Sequence, residues 1–161
     1  MAFLTQKKFD FVSQGLDADT FGVVRFKGSE GFSRCYEFEV DLVSTEAEID
    51  LEQVLKNPAV FTILRAEGDI PFHGILSGFE QLHQVDEYVF YRAVLVPRLW
   101  WLSLTHHNQV FLDKSVPEIL QEVLEDGGLT TLDFELKLQG SYPKWEYVCQ
   151  YRESHLEFVS R

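Results

Sequence analysis

Residues 35–43 read CYEFEVDLV, and this stretch decides the fold class. Apolar side chains alternate here with acidic ones, which is the pattern of a β-strand with one buried and one solvated face. We expect the carboxylates on the solvated face. The alternative is that a neighbouring chain or layer supplies lysine or arginine to compensate them. The apolar face comprises Tyr36, Phe38, Val40 and Leu42, and the acidic face comprises Glu37, Glu39 and Asp41.

The segments around this strand also have strand character and are separated by short turns. A hairpin is predicted for residues 22–43 around the turn GSEG, and a second for residues 59–82 around EGD. The turn QVDE then leads into a strand at 88–97. Strands joined in this way indicate an antiparallel barrel or sandwich. Gly74 and Gly78 interrupt a strand pattern, as bends or bulges in a closing barrel do.

Three helices with recognisable N-terminal caps are predicted. Asp50 can cap a short first helix. Ser115 with Glu118, and Ser154 with Glu157, have the spacing of a capping box, in which each side chain bonds the other residue's backbone. Gly127 or Gly128 is expected to end the second helix in a left-handed conformation. The apolar stripe of that helix comprises Val116, Ile119, Leu120, Val123 and Leu124.

The last third of the chain mixes helix and strand. Alternation at residues 130–138 and at 146–151 predicts two further strands. A domain boundary is plausible near LTHHN (104–108), between the strand-rich portion and the capped second helix. The fold class is therefore mainly β with α (α+β).

The composition of the chain excludes several classes of function. It has 161 residues, a net charge of −12 and 45% hydrophobic residues, as expected for a folded globular protein. An acidic surface is repelled by phosphate, which argues against nucleic-acid and anionic-membrane partners. The beginning of the sequence lacks a signal-peptide core, and no stretch has the length of a membrane span. Synthesis in the cytoplasm is predicted, and export without a cleavable signal stays open.

Cys149 and His155 are the first candidates for chemistry, because a thiol and an imidazole can form a nucleophilic pair. Strand parity places Cys149 on one face with Tyr147 and Tyr151, which is typical of a small core residue. A hydrolase that uses Cys149 and His155 is the alternative. A ligand-binding barrel is a weaker one, since one of the adjacent Trp100 and Trp101 could anchor a partner.

No metal or cofactor site is predicted. His106 and His107 are adjacent, so in a strand they point to opposite faces, and no third ligand has a suitable spacing. His73 and His83 are isolated. The phosphate-binding glycine motifs and the common hydrolase motifs are absent from the sequence.

Residues 142–161 read YPKWEYVCQYRESHLEFVSR and resemble the signature of VgrG-type spike proteins of type VI secretion systems (Rhs element Vgr family). This family is similar to the baseplate hubs of contractile phage tails. Residues 72–82, 91–102 and 109–128 resemble further family segments. The family often has Arg where Gln109 stands and Asp where His155 stands. The matching residues are Pro97, Trp100, Tyr142, Pro143, Gln150, Tyr151, Arg152, Glu153, Ser154, Leu156, Phe158, Val159 and Arg161.

The resemblance implies a fold and a mechanical role. Residues 1–105 would form the first antiparallel hub barrel, and residues 106–161 the opening of an incomplete second α+β domain in a longer protein. That protein would be a trimer that seats on hexameric, Hcp-like inner-tube rings. It would carry secreted effectors and leave the cell with the spike on sheath contraction. It would use no cofactor and would not be an enzyme. A phage or prophage baseplate hub is the alternative. Arg152 and Glu153 are candidates for fixing the corner between the last strand and helix.

Overall fold

The computed structural model describes residues 7–46 and 48–161. The chain divides into two compact units, residues 1–97 and 98–161. Residues 1–6 and 47 of the predicted first domain lie outside the described residues. The division falls before the predicted boundary at 105/106, because Leu102 packs with Leu124 and Leu129 within the second unit.

Among the described residues, the two units contain eight strands, three α-helices and one 3₁₀ helix. The strands are β1 (Phe9–Ser13), β2 (Gly22–Ser29), β3 (Glu37–Ser44), β4 (Ala59–Ile63), β5 (Ile70–Val85), β6 (Tyr88–Val96), β7 (His106–Ser115) and β8 (Lys144–Ser154). The helices are α1 (Leu51–Lys56), α2 (Val116–Asp126) and α3 (His155–Ser160), with a 3₁₀ helix at Arg98–Ser103. Across the described residues, the helices are too short or too polar to cross a bilayer.

The first unit is a six-stranded antiparallel sheet in the order β1-β4-β5-β6-β3-β2. Both predicted hairpins are present, as β2–β3 and β4–β5, and β5 turns into β6 as expected. The sheet is curled, as a contact between its two edge strands shows. Phe9 on β1 and Phe26 on β2 meet edge to face with ring centroids 4.9 Å apart. The predicted fold class, mainly β with helices around a curled antiparallel sheet, is confirmed.

Strand β3, from the stretch at residues 35–43, has the predicted alternation. Phe38, Val40 and Leu42 enter the aromatic-rich core of the first unit. Asp41 faces the opposite side yet is buried, because Arg25 on β2 and Arg92 on β6 both bond its carboxylate. Arginine therefore compensates Asp41, but it comes from neighbouring strands of the same sheet and not from a neighbouring chain or layer, as the alternative proposed.

The two strand glycines have different local roles. The ladder between β5 and β6 shifts register between Leu76 and Gly78, as the predicted bulge requires. Gly74 lies so close to β6 that a Cβ built on it would be 2.1 Å from the Val96 carbonyl oxygen. Gly74 is thus needed for close approach of two backbones, and Gly78 lies at a change of register.

The predicted strand at residues 130–138 is wrong. The Asp133 carboxylate accepts bonds from the backbone N–H and the hydroxyl of Thr130, which closes a turn where a ladder would begin. Phe134 packs against the Leu102 cluster, whereas Leu132 is 96% exposed. Alternation alone did not make a strand here, because the segment pairs with no other strand among the described residues.

The helix caps follow the prediction. Asp50 accepts bonds from the backbone N–H groups of Glu52 and Gln53 at the start of α1. Both capping boxes are formed, at Ser115 for α2 and at Ser154 for α3. Of the two glycines after α2, Gly128 has the left-handed φ of 81°. Trp100 and Trp101 lie in the 3₁₀ helix and not in an extended segment.

Candidate functional site

The second unit is built on the hairpin of β7 and β8, which pair antiparallel from His106 opposite Ser154 to Ser115 opposite Lys144. One face of the hairpin packs on α2 and α3. There Phe158 stacks on Phe111 with ring centroids 5.6 Å apart. The register is irregular between His107 and Asn108.

The residues of the predicted signature converge at the corner where β8 runs into α3. Gln150 is fully buried, and its Nε2 donates to the Glu153 carbonyl oxygen at 3.1 Å. Glu153 pairs with Arg161 at 3.0 Å. Ser154 and Glu157 close the capping box. The Ser154 backbone N–H donates to the Glu157 carboxylate, and this bond lowers the pKa of Glu157. The corner thus has polar contacts on several sides.

Arg152 contributes to this corner through its backbone. It has a left-handed φ of 51°, and its N–H donates to Asn108 Oδ1 at 3.0 Å. Its guanidinium lies 5.2 Å from the centre of the exposed Tyr151 ring. The prediction that Arg152 and Glu153 fix the corner stays a prediction to be tested by mutation, with these contacts as its basis.

The remaining signature residues are dispersed. Pro97 ends the first unit. Trp100 lies in the 3₁₀ helix, where the Ser103 hydroxyl donates to the Trp100 carbonyl oxygen at 2.7 Å. Tyr142 and Pro143 are exposed in the irregular segment that leads into β8.

Cys149 lies on the face that parity predicted, but that face is the outer one. Its strand neighbours Tyr147 and Tyr151 are 59% and 63% exposed, so the expected core position for Cys149 is wrong. The residues directed inward are Val148 and Gln150, since the helices cover their side of the hairpin. The bonds of the His155 ring run to Gln150 and Asp126, on the side away from the thiol.

His155 is the centre of a polar cluster that the sequence did not predict. It is buried to 1% exposure, with Nδ1 3.2 Å from Gln150 Oε1 and Nε2 3.0 Å from Asp126 Oδ2. The His107 ring stacks on the His155 ring with centroids 3.7 Å apart. One potential ligand atom from each of His107, Asp126 and His155 lies within 4.8 Å of the others.

The electrostatics of this cluster are dominated by burial. Desolvation is the largest effect on His155 and lowers its pKa. The hydrogen bond to Asp126 raises this pKa, whereas the nearby His107 lowers it further. Gln109 Nε2 also donates to Asp126 Oδ2, at 3.2 Å. Asp126 ends α2, His107 is the second residue of β7 and His155 begins α3. No local spacing links three such positions, so only the fold brings them together, contrary to the expectation that His107 lacks a third partner.

An apolar groove of about 510 Å³ lies beside β8 in the same unit. Its walls come from both helices and from the outer strand face. Among the described residues, β8 has β7 as its single strand partner. The groove is lined by Val116, Ile119, Leu120, Trp145, Tyr147 and Phe158, among others.

The comparisons with known proteins agree on one family. The family model of the phage tail baseplate hub (GPD) matches residues 29–161. The type VI secretion system spike protein VgrG1b of Pseudomonas aeruginosa is 33% identical over 100% of this chain, which spans 22% of that protein. VgrG5 of the same species is 38% identical over 88% of this chain and 18% of its own length. The chain thus spans about a fifth of the relatives it matches.

A solved structure has the same fold. The c3393 protein of Escherichia coli is described as a component of the type VI secretion system that is structurally similar to the T4 bacteriophage tail proteins gp27 and gp5. It superposes with a TM-score of 0.85 and 28% identity, over 94% of this chain and 42% of that one. The similarity therefore includes both units of the chain.

Proposed function

The chain belongs to the phage tail baseplate hub (GPD) family, and on this basis we propose that it forms part of the hub of a type VI secretion spike. The observation that carries the proposal is the match of 94% of the chain, at a TM-score of 0.85, to a type VI secretion component. Relatives named as spike proteins support the secretion system over a phage or prophage baseplate, which stays the alternative.

The proposed role is mechanical. The complete protein would be a homotrimer that joins the hexameric, Hcp-like inner tube to the puncturing needle and leaves the cell when the sheath contracts. Secreted effectors would travel with it. The actin cross-linking toxin VgrG1 of Vibrio cholerae is 34% identical, but this chain spans 14% of that protein, so no toxin activity is proposed for these residues.

We infer that this region is not an enzyme. The imidazole that a Cys149 nucleophile would require is engaged by Gln150 and Asp126, on the opposite side of β8. Burial also lowers the pKa of His155. Cys149, by contrast, lines the apolar groove beside β8. A general base must reach the proton it abstracts, and this pair does not have that arrangement.

The role is tested by deleting the gene in its native host and measuring export of the inner-tube protein into the medium. We expect export to stop and to return when the full-length gene is supplied. A full-length Cys149→Ser variant should restore export equally, because the thiol has no catalytic role. Normal export from the deletion strain would contradict the hub assignment, and failure of Cys149→Ser with normal protein levels would contradict the non-enzymatic role.

The assembly state is tested separately by sedimentation of the full-length protein. A mass three times that of the polypeptide is expected for a hub. A stable monomer over the micromolar range would contradict the trimeric role. Sheathed particles released after induction of lysis, with the protein in their baseplates, would favour the phage alternative over the secretion system.

A further inference from the structure

We propose that His107, Asp126 and His155 form a binding site for one divalent transition-metal ion of the zinc class. Two imidazoles and a carboxylate are a ligand set that zinc and its neighbours accept. The three side chains come from the start of β7, the end of α2 and the start of α3. An ion bound there would link three elements of the second unit, independently of any hub function.

The hydrogen bonds around His155 provide the first argument. Gln150 Nε2 donates to the Glu153 carbonyl, which directs Oε1, an acceptor, at His155 Nδ1. Nδ1 must therefore carry the proton, and a neutral ring then presents the lone pair of Nε2. That lone pair faces Asp126 Oδ2, a second acceptor, at 3.0 Å. Two acceptors repel each other unless a cation is held by both.

Burial determines which cation suits the site. The ring is 1% exposed, so a cation between the two acceptors must be held by side chains and not by bulk water. A metal ion uses the neutral ring directly and neutralises the carboxylate. A histidine that binds metal through one nitrogen and donates from the other to a fixed oxygen is the arrangement found at protein metal sites.

The distances are close to those of a metal site. Metal–nitrogen and metal–oxygen bonds of about 2.0–2.1 Å at a tetrahedral angle place two ligand atoms roughly 3.3–3.4 Å apart. His155 Nε2 and Asp126 Oδ2 are 3.0 Å apart, so a bound ion would separate them by about 0.3–0.4 Å more. His107 is half-buried, and its potential ligand atom lies within 4.8 Å of the other two.

The surrounding polar groups are placed to support the ligands. Gln109 Nε2 donates to the ligating carboxylate at 3.2 Å, and Thr105 Oγ1 lies 2.8 Å from His107 Nε2. Asp126 is also the last residue of α2, where the negative end of the helix dipole favours a cation. A fourth ligand position would be filled by water or by a group from a binding partner.

The test uses the full 161-residue chain, freed of metal with a chelator and titrated with Zn²⁺ by calorimetry at neutral pH. We expect one Zn²⁺ per chain and a melting temperature that rises with Zn²⁺ concentration, since an ion that binds only the folded state stabilises it. Titration with Co²⁺ should produce visible absorption bands that Zn²⁺ abolishes.

Four variants make the test specific. His107→Ala and Asp126→Asn change groups outside the apolar core and should abolish stoichiometric binding while the metal-free proteins stay folded by circular dichroism. Gln109→Ala should weaken Zn²⁺ binding about 10–100-fold, as loss of a supporting hydrogen bond does. His83→Ala removes a histidine of the first unit and should bind like the wild type.

Absence of Zn²⁺ and Co²⁺ binding by the wild-type chain would overturn the proposal and would assign the cluster to an imidazolium–carboxylate pair. Stoichiometric binding that survives both His107→Ala and Asp126→Asn would place the metal elsewhere and would overturn it equally. If a variant proves unfolded, NMR of the wild-type histidine rings during Zn²⁺ titration decides, because the signals of His107 and His155 should shift while that of His83 should not.

Discussion

At the scale of single residues, Asp41 shows how the acidic face of β3 is stabilised. Its carboxylate is bonded by Arg92 at 2.9 Å and also by Arg25, so strands on both sides of β3 are bridged. The Arg92 hydrogen bond, followed by that of Arg25, lowers the pKa of Asp41 against the opposing effect of burial. A buried carboxylate that keeps its charge stabilises the folded state only while it is ionised.

The first prediction concerns this carboxylate. Asp41→Asn should lower the free energy of unfolding by about 2 kcal/mol at neutral pH, since bonds to a charged group are lost. The folded pKa lies below the ordinary value of 3.8, so the stabilisation is complete above that value and is lost as the pH falls through the folded pKa. Urea titrations of both proteins at several pH values measure this.

The matched control for Asp41 is Glu37→Gln, which changes an exposed carboxylate on the same strand. Its effect should be within about 0.5 kcal/mol, as for most surface substitutions. A difference between wild type and Asp41→Asn that persists unchanged to pH 2 would contradict the assigned role of the charge.

The second prediction concerns the backbone at Arg152. A left-handed conformation costs an ordinary residue about 1–2 kcal/mol, a cost that glycine does not have. Arg152→Gly and Arg152→Ala both lose the contact of the guanidinium with Tyr151, so their comparison isolates the backbone. We expect the glycine variant to melt at a higher temperature than the alanine variant. Equal melting temperatures would show that the corner adapts without strain.

The residues of the metal cluster could not be predicted from the sequence, whereas the residues of the capping boxes could. Ser154 and Glu157 are three positions apart, and the chemistry of a helix N-terminus relates them directly. His107, Asp126 and His155 belong to three elements, and the packing that joins them is not encoded in any local spacing. For Cys149 the strand parity was predictable, but which face the helices cover was not.

At the scale of elements, β5 is a long strand in which one glycine lies very close to the neighbouring backbone. It runs from Ile70 to Val85 and pairs with β4 in its first part and with β6 further along. A strand with two partners on successive segments must bend, and a bulge with a nearby glycine provides the bend. Gly74 lies at the change of partner, opposite Ala59 and just before Ile75 pairs with Val96.

The third prediction tests this bend. Gly74→Ala would place a methyl group 2.1 Å from the Val96 carbonyl oxygen, so the two strands must separate. Overpacking of this kind typically costs roughly 1–3 kcal/mol. Gly78→Ala is the matched control, because its nearest neighbour, Val94 Cγ2, would lie at an ordinary 3.8 Å. Thermal unfolding should show a large decrease for Gly74→Ala and little change for Gly78→Ala, and the reverse order would refute the close approach.

The elements also show where sequence patterns are sufficient. The hairpins of the first unit were predictable, because alternation and turn residues occur together and consecutive strands pair. Residues 130–138 have the same alternation, yet Thr130 and Asp133 form a turn. A strand requires a partner as well as a pattern, and the partner is not visible in the segment itself.

At the scale of the whole molecule, each unit has a hydrophobic core of its own. The core of the first unit is rich in phenylalanine and is enclosed by the curled sheet. The second unit has two smaller clusters, around Phe111 and around Leu102. Extensive packing in one unit and thin packing in the other predict different local stabilities, since amides open more readily where few apolar contacts hold the backbone.

The last prediction is a pattern of hydrogen exchange across the chain. Amides of β6 should exchange slowest, because β6 has a strand on each side and its Val89, Ala93 and Leu95 are fully buried. Amides of β2, at an edge of the sheet, and of β8, with one partner among the described residues, should exchange faster, since one side of each strand is open to water. Exchange measured by NMR at neutral pH and corrected for intrinsic rates provides the comparison. If β2 or β8 were protected as strongly as β6, the six-strand order and the open edge of the hairpin would both need revision for the chain in solution.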